Sequence, residues 1–227
     1  MSPLPFVFLN VAMTADGKIA PANRKFSSFS SQRDREHMFE LRATADAVMS
    51  GARTVDLNPV TMGTGRAKYR RQRKKRGLAE RHVRVVVSGG ATLDPNAEIF
   101  RKGSSPVIVL TTRRAPPDKV RRLREVADEV IGFGTEEIDF KAALRWLGKE
   151  WGVRRLLCEG GGEINGGLFR AGLVDELHLT VCPKIFGGRD APTIADGRGV
   201  ASLAKAARFK LKSARRYGDE MFFVFAR

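Results

Sequence analysis

The sequence predicts an α/β protein with three layers: a mostly parallel central sheet, helices on both faces, and an antiparallel hairpin at the C-terminal end. Three observations predict it. Short, almost wholly apolar runs recur along the chain, as in strands covered on both faces. Stretches of helical periodicity separate those runs. The chain then closes on two strand-like runs joined by Gly218-Asp219, a turn pair.

The elements follow in order. Residues 5–12, PFVFLNVA, form the first buried strand, and TADGKIA after it holds the turn pair Asp16-Gly17. Residues 28–45 read as a helix. Ser31 can cap its first turn, and Met38, Phe39, Leu41 and Ala45 share one broad face. DAVMSG (46–51) is a short strand, followed by a polar loop. HVRVVVS (82–88) and PVIVLTT (106–112) are buried strands. Residues 116–127 make a Pro-started helix, 128–133 a strand, 138–149 an amphipathic helix and 153–159 a strand. A short helix runs from about 163 to 171 and stops at Gly172. VDELHLTV (174–181) is the next strand, and 207–226 holds the hairpin. No repeat or low-complexity linker interrupts the series, so the expected organisation is one domain over 1–227.

Composition narrows the function classes. The chain has 227 residues, 42% hydrophobic and 29% charged, which suits a globular α/β domain. No apolar run reaches the ~18 residues a membrane helix needs. The N-terminus lacks a positively charged lead, so it does not read as a signal peptide. Cytoplasmic residence is the expectation. The two cysteines, Cys158 and Cys182, form no disulfide framework or metal cluster and read as buried strand residues. The three histidines are scattered singly, with no cysteine at ligand spacing, so no metal site is expected. The zinc-deaminase, Walker A and nucleophile-elbow motifs are absent. The net charge is +16, and much of it lies in RAKYRRQRKKR from Arg66 to Arg76. That run contains one aromatic and no nucleic-acid-binding signature surrounds it, so it reads as a solvated loop or helix face.

In an open α/β sheet, ligands gather beyond the carboxyl ends of the strands. Gly160, Gly161 and Gly162 stand there, between a buried strand and a helix. Glycines in that place let backbone N–H groups approach a pyrophosphate, and the helix N-terminus adds a favourable dipole. A plain tight turn is the competing reading. TTRR, Thr111 to Arg114, puts two hydroxyls and two guanidinium groups at another strand end. That set suits a phosphate monoester or an ordinary exposed loop. Ser88 adds a hydroxyl at a third strand end, or caps its own turn.

Taken together, NVAMTADGKIA, SSQRDREHMFELRATADAVMSGARTVDLNP and EGGGEINGGLFRAGLVDELHLTVCPKIFGG resemble the reductase family of riboflavin biosynthesis. The likeness runs from about Asn10 to Phe225. It implies a dihydrofolate-reductase-like fold, a homodimer and the NADPH-dependent reduction of a ribosylamino-pyrimidine 5′-phosphate to its ribitylamino product. It also places Ala20, Ser28, Thr54, Asp56 and Ser88 where the family contacts NADPH. Gly161 to Gly167, with Glu163, Ile164 and Asn165, fall along the cofactor's phosphates and nicotinamide side. With this cofactor, Thr111 and Arg113 suit its 2′-phosphate. Arg42 and Glu159 match substrate-contacting positions. An inward-facing Arg can grip a phosphate through two N–H groups, and a carboxylate beside a glycine-lined site can orient hydroxyls or a ring amine. Glu159 and Asp16 are the candidate proton donors, with water as the alternative.

The sequence departs from the family at two places. Phe26 stands where a Ser is common. The loop DLNPVTMGTGR is altered, and its Arg66 lies farther along. These departures keep open a pterin- or dihydrofolate-like substrate on the same fold. A basic nucleic-acid-binding module is the remote rival, and the glycine run argues against it.

Overall fold

The computed structural model describes residues 3–25, 28–57, 60–101 and 105–227. Phe26 and the Asn58–Pro59 start of the altered loop lie outside the described residues. The strands form one nine-stranded sheet in the order β5-β4-β3-β2-β6-β1-β7-β9-β8. The pairs β1/β7, β2/β3, β3/β4 and β4/β5 are parallel, while β7/β9 and β8/β9 are antiparallel. The mixed, mostly parallel sheet with a C-terminal hairpin is the one the apolar runs predict. The strands are β1 (Phe6–Thr14), β2 (Ala47–Gly51), β3 (Val83–Val87), β4 (Val107–Thr111), β5 (Glu129–Gly132), β6 (Arg155–Cys158), β7 (Glu176–Cys182), β8 (Lys210–Tyr217) and β9 (Glu220–Ala226). The helices are α1 (Gln32–Arg42), α2 (Ala52–Leu57), α3 (Ala67–Lys75), α4 (Pro117–Arg124), α5 (Phe140–Glu150) and α6 (Gly162–Arg170).

The chain packs as two compact units. The first comprises residues 3–5 and Arg42–Leu156. Its core is Val48, Met49, Val85, Val86, Ile108, Val109 and Leu110, joined by Leu123 of α4 and Leu144 and Leu147 of α5, all buried. β-Branched residues dominate these strands because they fit a sheet covered on both sides. Asp139 caps α5 by accepting the Ala142 N–H at 3.0 Å. The second unit comprises Phe6–Leu41 and Leu157–Arg227. Val7, Phe8, Leu9, Leu157, Cys158, Leu168, Val174 and Cys182 are fully buried there. Gly172 ends α6 at φ +67°, and the Leu173 N–H donates to the Leu168 carbonyl at 3.0 Å. That is a Schellman stop, as the position of Gly172 predicts.

Three expectations change. α1 is shorter than 28–45, although Ser31 does cap it: its Oγ accepts the Asp34 N–H at 3.2 Å. Thr54 and Asp56 sit on a short helix, α2, rather than in a loop. Most importantly, the basic run is only partly solvated. It forms α3, and Tyr69 and Arg73 of that helix are buried, 2% and 1% exposed. The Arg73 guanidinium donates to the carbonyls of Arg42 (2.9 Å), Ala45 and Ala79 (2.8 Å). Buried carbonyls need donors, and Arg73 supplies them.

Candidate active site

In the second unit, Glu159 and the three glycines link β6 to α6. Gly160 takes φ +81°, a left-handed conformation that a side chain would strain. Gly161 is the N-cap of α6. A Cβ there would meet nothing within 4 Å, and among the described residues no side chain caps the helix. An uncapped helix start of this kind suits an anion, because its first-turn N–H groups have no partner within the helix. Gly162 and Gly166 are glycine for another reason. A Cβ at Gly162 would collide with Thr193 and Asp196, and one at Gly166 with the Asp196 carbonyl. The Asp196 N–H donates to the Gly162 carbonyl at 2.9 Å. The glycine pattern thus serves the close approach of residues 193–196 as well as the open end of the helix.

The side chain of Asn165 is fully buried and turned into the protein. Its Nδ2 donates to the Ile194 carbonyl at 2.9 Å, and its Oδ1 accepts from the Cys158 thiol at 3.5 Å. Ile164 is buried and Glu163 exposed. Burial pushes the Cys158 and Cys182 thiols up to about 12, so both stay protonated and unreactive.

Asp16 is held by its own loop. Its carboxylate accepts the Thr14 hydroxyl at 2.5 Å and the N–H groups of Phe186 (3.3 Å) and Gly187 (2.7 Å). The Thr14 bond, then those of Gly187 and Phe186, hold its pKa below the ordinary carboxylate value. These three bonds make Asp16 an anchor of its loop. Lys18, which sequence reasoning passed over, donates to the Ala191 carbonyl at 3.1 Å. The Ile19 N–H, just before the half-buried Ala20, donates to the Pro192 carbonyl at 2.9 Å. Ser28 is exposed. Residues 184–196, which periodicity leaves unassigned, therefore join the TADGKIA turn to the glycine helix. In the sequence they carry turn residues, Gly187, Gly188, Asp190, Pro192 and Asp196, and KIFGG closes the third resembling stretch.

In the first unit, the ends of β3 and β4 come together. The Gly89 carbonyl accepts both the Thr111 and the Thr112 hydroxyls at 2.9 Å. Ser88 Oγ accepts the N–H groups of Thr92 (2.9 Å) and Leu93 (3.2 Å), so it caps its own turn. Asp56 Oδ1 accepts the Asp94 N–H at 3.1 Å, which ties α2 to the turn after β3. Thr54 is half-buried and Arg113 exposed. Arg114 forms an ion pair with Glu136.

Arg42 is 8% exposed, and its Nη1 donates to the Gly63 carbonyl at 2.7 Å. The neighbouring carbonyls are held in the same manner. Thr61 accepts from Arg84 (3.3 Å), Met62 from His82 (2.7 Å) and Gly65 from Arg70 (2.9 Å). Burial above all, then the Arg42 charge, pushes the His82 pKa down to about 3. His82 is thus a neutral donor inside the protein. The sequence shows His82 only as the first residue of the run HVRVVVS.

The chain is 38% identical over 223 residues to the 2,5-diamino-6-ribosylamino-4(3H)-pyrimidinone 5′-phosphate reductase of Archaeoglobus fulgidus, with 98% of each chain covered. It is 36% identical over 221 residues to the protein of the same name from Methanothermobacter thermautotrophicus, with 97% of each covered. Its fold resembles that of Acinetobacter baumannii RibD, with a TM-score of 0.78 and 21% identity. That match covers 98% of this chain and 58% of the RibD chain. The RibD C-terminal domain family matches residues 5–223, and the chain belongs to that family.

Proposed function

We propose that this chain is an NADPH-dependent reductase that converts a ribosylamino-pyrimidine 5′-phosphate to the ribitylamino product in riboflavin biosynthesis, working in the cytoplasm as a homodimer. The observation that carries this reading is the end-to-end similarity to two archaeal enzymes named as pyrimidinone phosphate reductases.

A nicotinamide cofactor suits a reductase of this family, and the residues present fit one. The α6 N-terminus has an open glycine cap, suited to a pyrophosphate. Gly160, Gly161 and the first turn of α6 are its proposed holders in the second unit. By the family resemblance and their strand-end position, Thr54, Asp56, Ser88, Thr111 and Arg113 are further proposed contacts. The exposed Arg113 guanidinium favours the 2′-phosphate of NADPH. When bound, the nicotinamide supplies hydride to C1′ of the ring-opened sugar, where a C=N bond is reduced.

The protein's own residues then bind and orient. Arg42 offers a cation to the substrate phosphate. Glu159, half-buried at the end of β6, orients hydroxyls or the ring amine and handles the proton delivered to nitrogen. Asp16, already bound to Thr14, Phe186 and Gly187, is the second candidate for that proton. Such catalysis is positioning with water excluded.

NADPH oxidation with the amino and the deaminated pyrimidine phosphates, run beside dihydrofolate, tests the reading. Turnover of either pyrimidine phosphate supports it and identifies the substrate. Turnover of dihydrofolate alone overturns it and leaves the fold and the cofactor in place.

A further inference from the structure

The loop from Thr61 to Gly65 is held from inside the protein, and His82 is at the centre of that hold. Its Nε2 lies 2.7 Å from the Met62 carbonyl, and its Nδ1 lies 3.4 Å from the Thr64 hydroxyl. A carbonyl only accepts, so Nε2 carries the proton, and Nδ1 is left to accept from Thr64. The two ring nitrogens therefore bracket Gly63, whose carbonyl takes the Arg42 guanidinium at 2.7 Å. Met62 adopts φ +51°, a conformation that costs a non-glycine residue about 1 kcal/mol or more. Such a backbone persists only where its surroundings impose it. Here Met62 is 2% exposed and its carbonyl is held by a histidine that is itself 1% exposed.

We propose that His82 is a positioning residue for substrate binding: by fixing residues 62–64 it sets the Gly63 carbonyl that orients Arg42. This inference rests on the reading of Arg42 as a substrate-phosphate contact. Burial above all, and then the nearby arginines Arg42, Arg73 and Arg84, keep the imidazole neutral, so the direction of its hydrogen bonds does not change across the physiological range.

Steady-state kinetics on the full chain, with the ribosylamino-pyrimidine phosphate and NADPH varied separately, tests it. His82→Leu removes the donor and should raise KM for the pyrimidine phosphate about tenfold, with kcat and NADPH affinity within about twofold of the native protein. His82→Gln, which restores an N–H near Nε2, should recover most of that loss. In an Arg42→Ala background, His82→Leu should add less than about twofold, because both act through one contact. Should His82→Leu fail to fold, Thr64→Val removes only the weaker contact and should raise the same KM by about threefold. An unchanged KM in folded His82→Leu, or in Thr64→Val where that is the variant measured, overturns the inference while Arg42→Ala still raises KM. An Arg42→Ala protein with native KM overturns the assignment of Arg42 itself, and this inference with it.

Discussion

Arg73 donates from its guanidinium to the main-chain carbonyl of Arg42 at 2.9 Å, so one arginine closes the chain at the end of α1 and the other leaves that turn to bind Gly63. The basic run therefore contains two kinds of residue. Arg73→Ser would leave the carbonyls of Arg42, Ala45 and Ala79 without this donor in a buried setting and should cost about 3 kcal/mol. Arg71→Ser and Lys75→Ser, on the exposed face, should stay within about 0.5 kcal/mol of the native protein. Urea denaturation of the single variants separates the two groups.

His82 makes stability depend on pH. Its folded pKa of about 3 lies below the ordinary 6.5, so between those values the unfolded chain binds more protons than the folded one. Stability then rises with pH across that window and falls as the solution is acidified from about 6.5 toward 3. His82→Gln cannot bind this proton. The stability of the native protein relative to His82→Gln should therefore drop by about 2 kcal/mol between pH 7 and pH 5. Denaturation of both proteins at the two pH values measures it, and a constant difference would contradict the assignment.

Cofactor choice tests the end of β4. NADPH should bind at least about tenfold tighter than NADH, roughly 1.4 kcal/mol. Arg113→Ala should narrow that gap, because a guanidinium paired with a phosphate monoester makes charge-assisted bonds. Fluorescence titration with the two dinucleotides reads it directly.

Glu159→Gln retains shape and removes charge. If Glu159 orients the substrate or handles its proton, kcat for the pyrimidine phosphate should fall by about 10²-fold while NADPH affinity is unchanged. A native kcat would point to water as the proton source.

A homodimer is tested at the outer strand. β8 ends the sheet order and its residues are mostly exposed, with Leu211 at 57%. The strand is mostly basic and polar, and Leu211 and Tyr217 are its large apolar side chains open to a partner. Light scattering at micromolar concentration should give about twice the 25.1 kDa chain mass, and Leu211→Lys should shift it toward one chain.

The strands and the longer helices are legible in the sequence because their signals are local. VRVVV and VIVLT are strands by composition, and Gly172 ends a helix by its own backbone freedom. The glycine run at the end of β6 is legible for the same reason. Other features had no local signal. α2 is six residues long, too short for periodicity to declare itself. Arg73 cannot be told from Arg71 by composition, and its burial follows from carbonyls supplied by Arg42 and Ala45, far back along the chain. Gly162 and Gly166 are glycine because residues 193–196 press against α6, and Asp16 is an anchor because Phe186 and Gly187 come to it. His82 holds a loop twenty residues before it. Local pattern determines which segments become strands and helices. Which polar side chain is spent on holding the backbone, and which remains for a ligand, depends on partners that only the folded chain brings within hydrogen-bond distance.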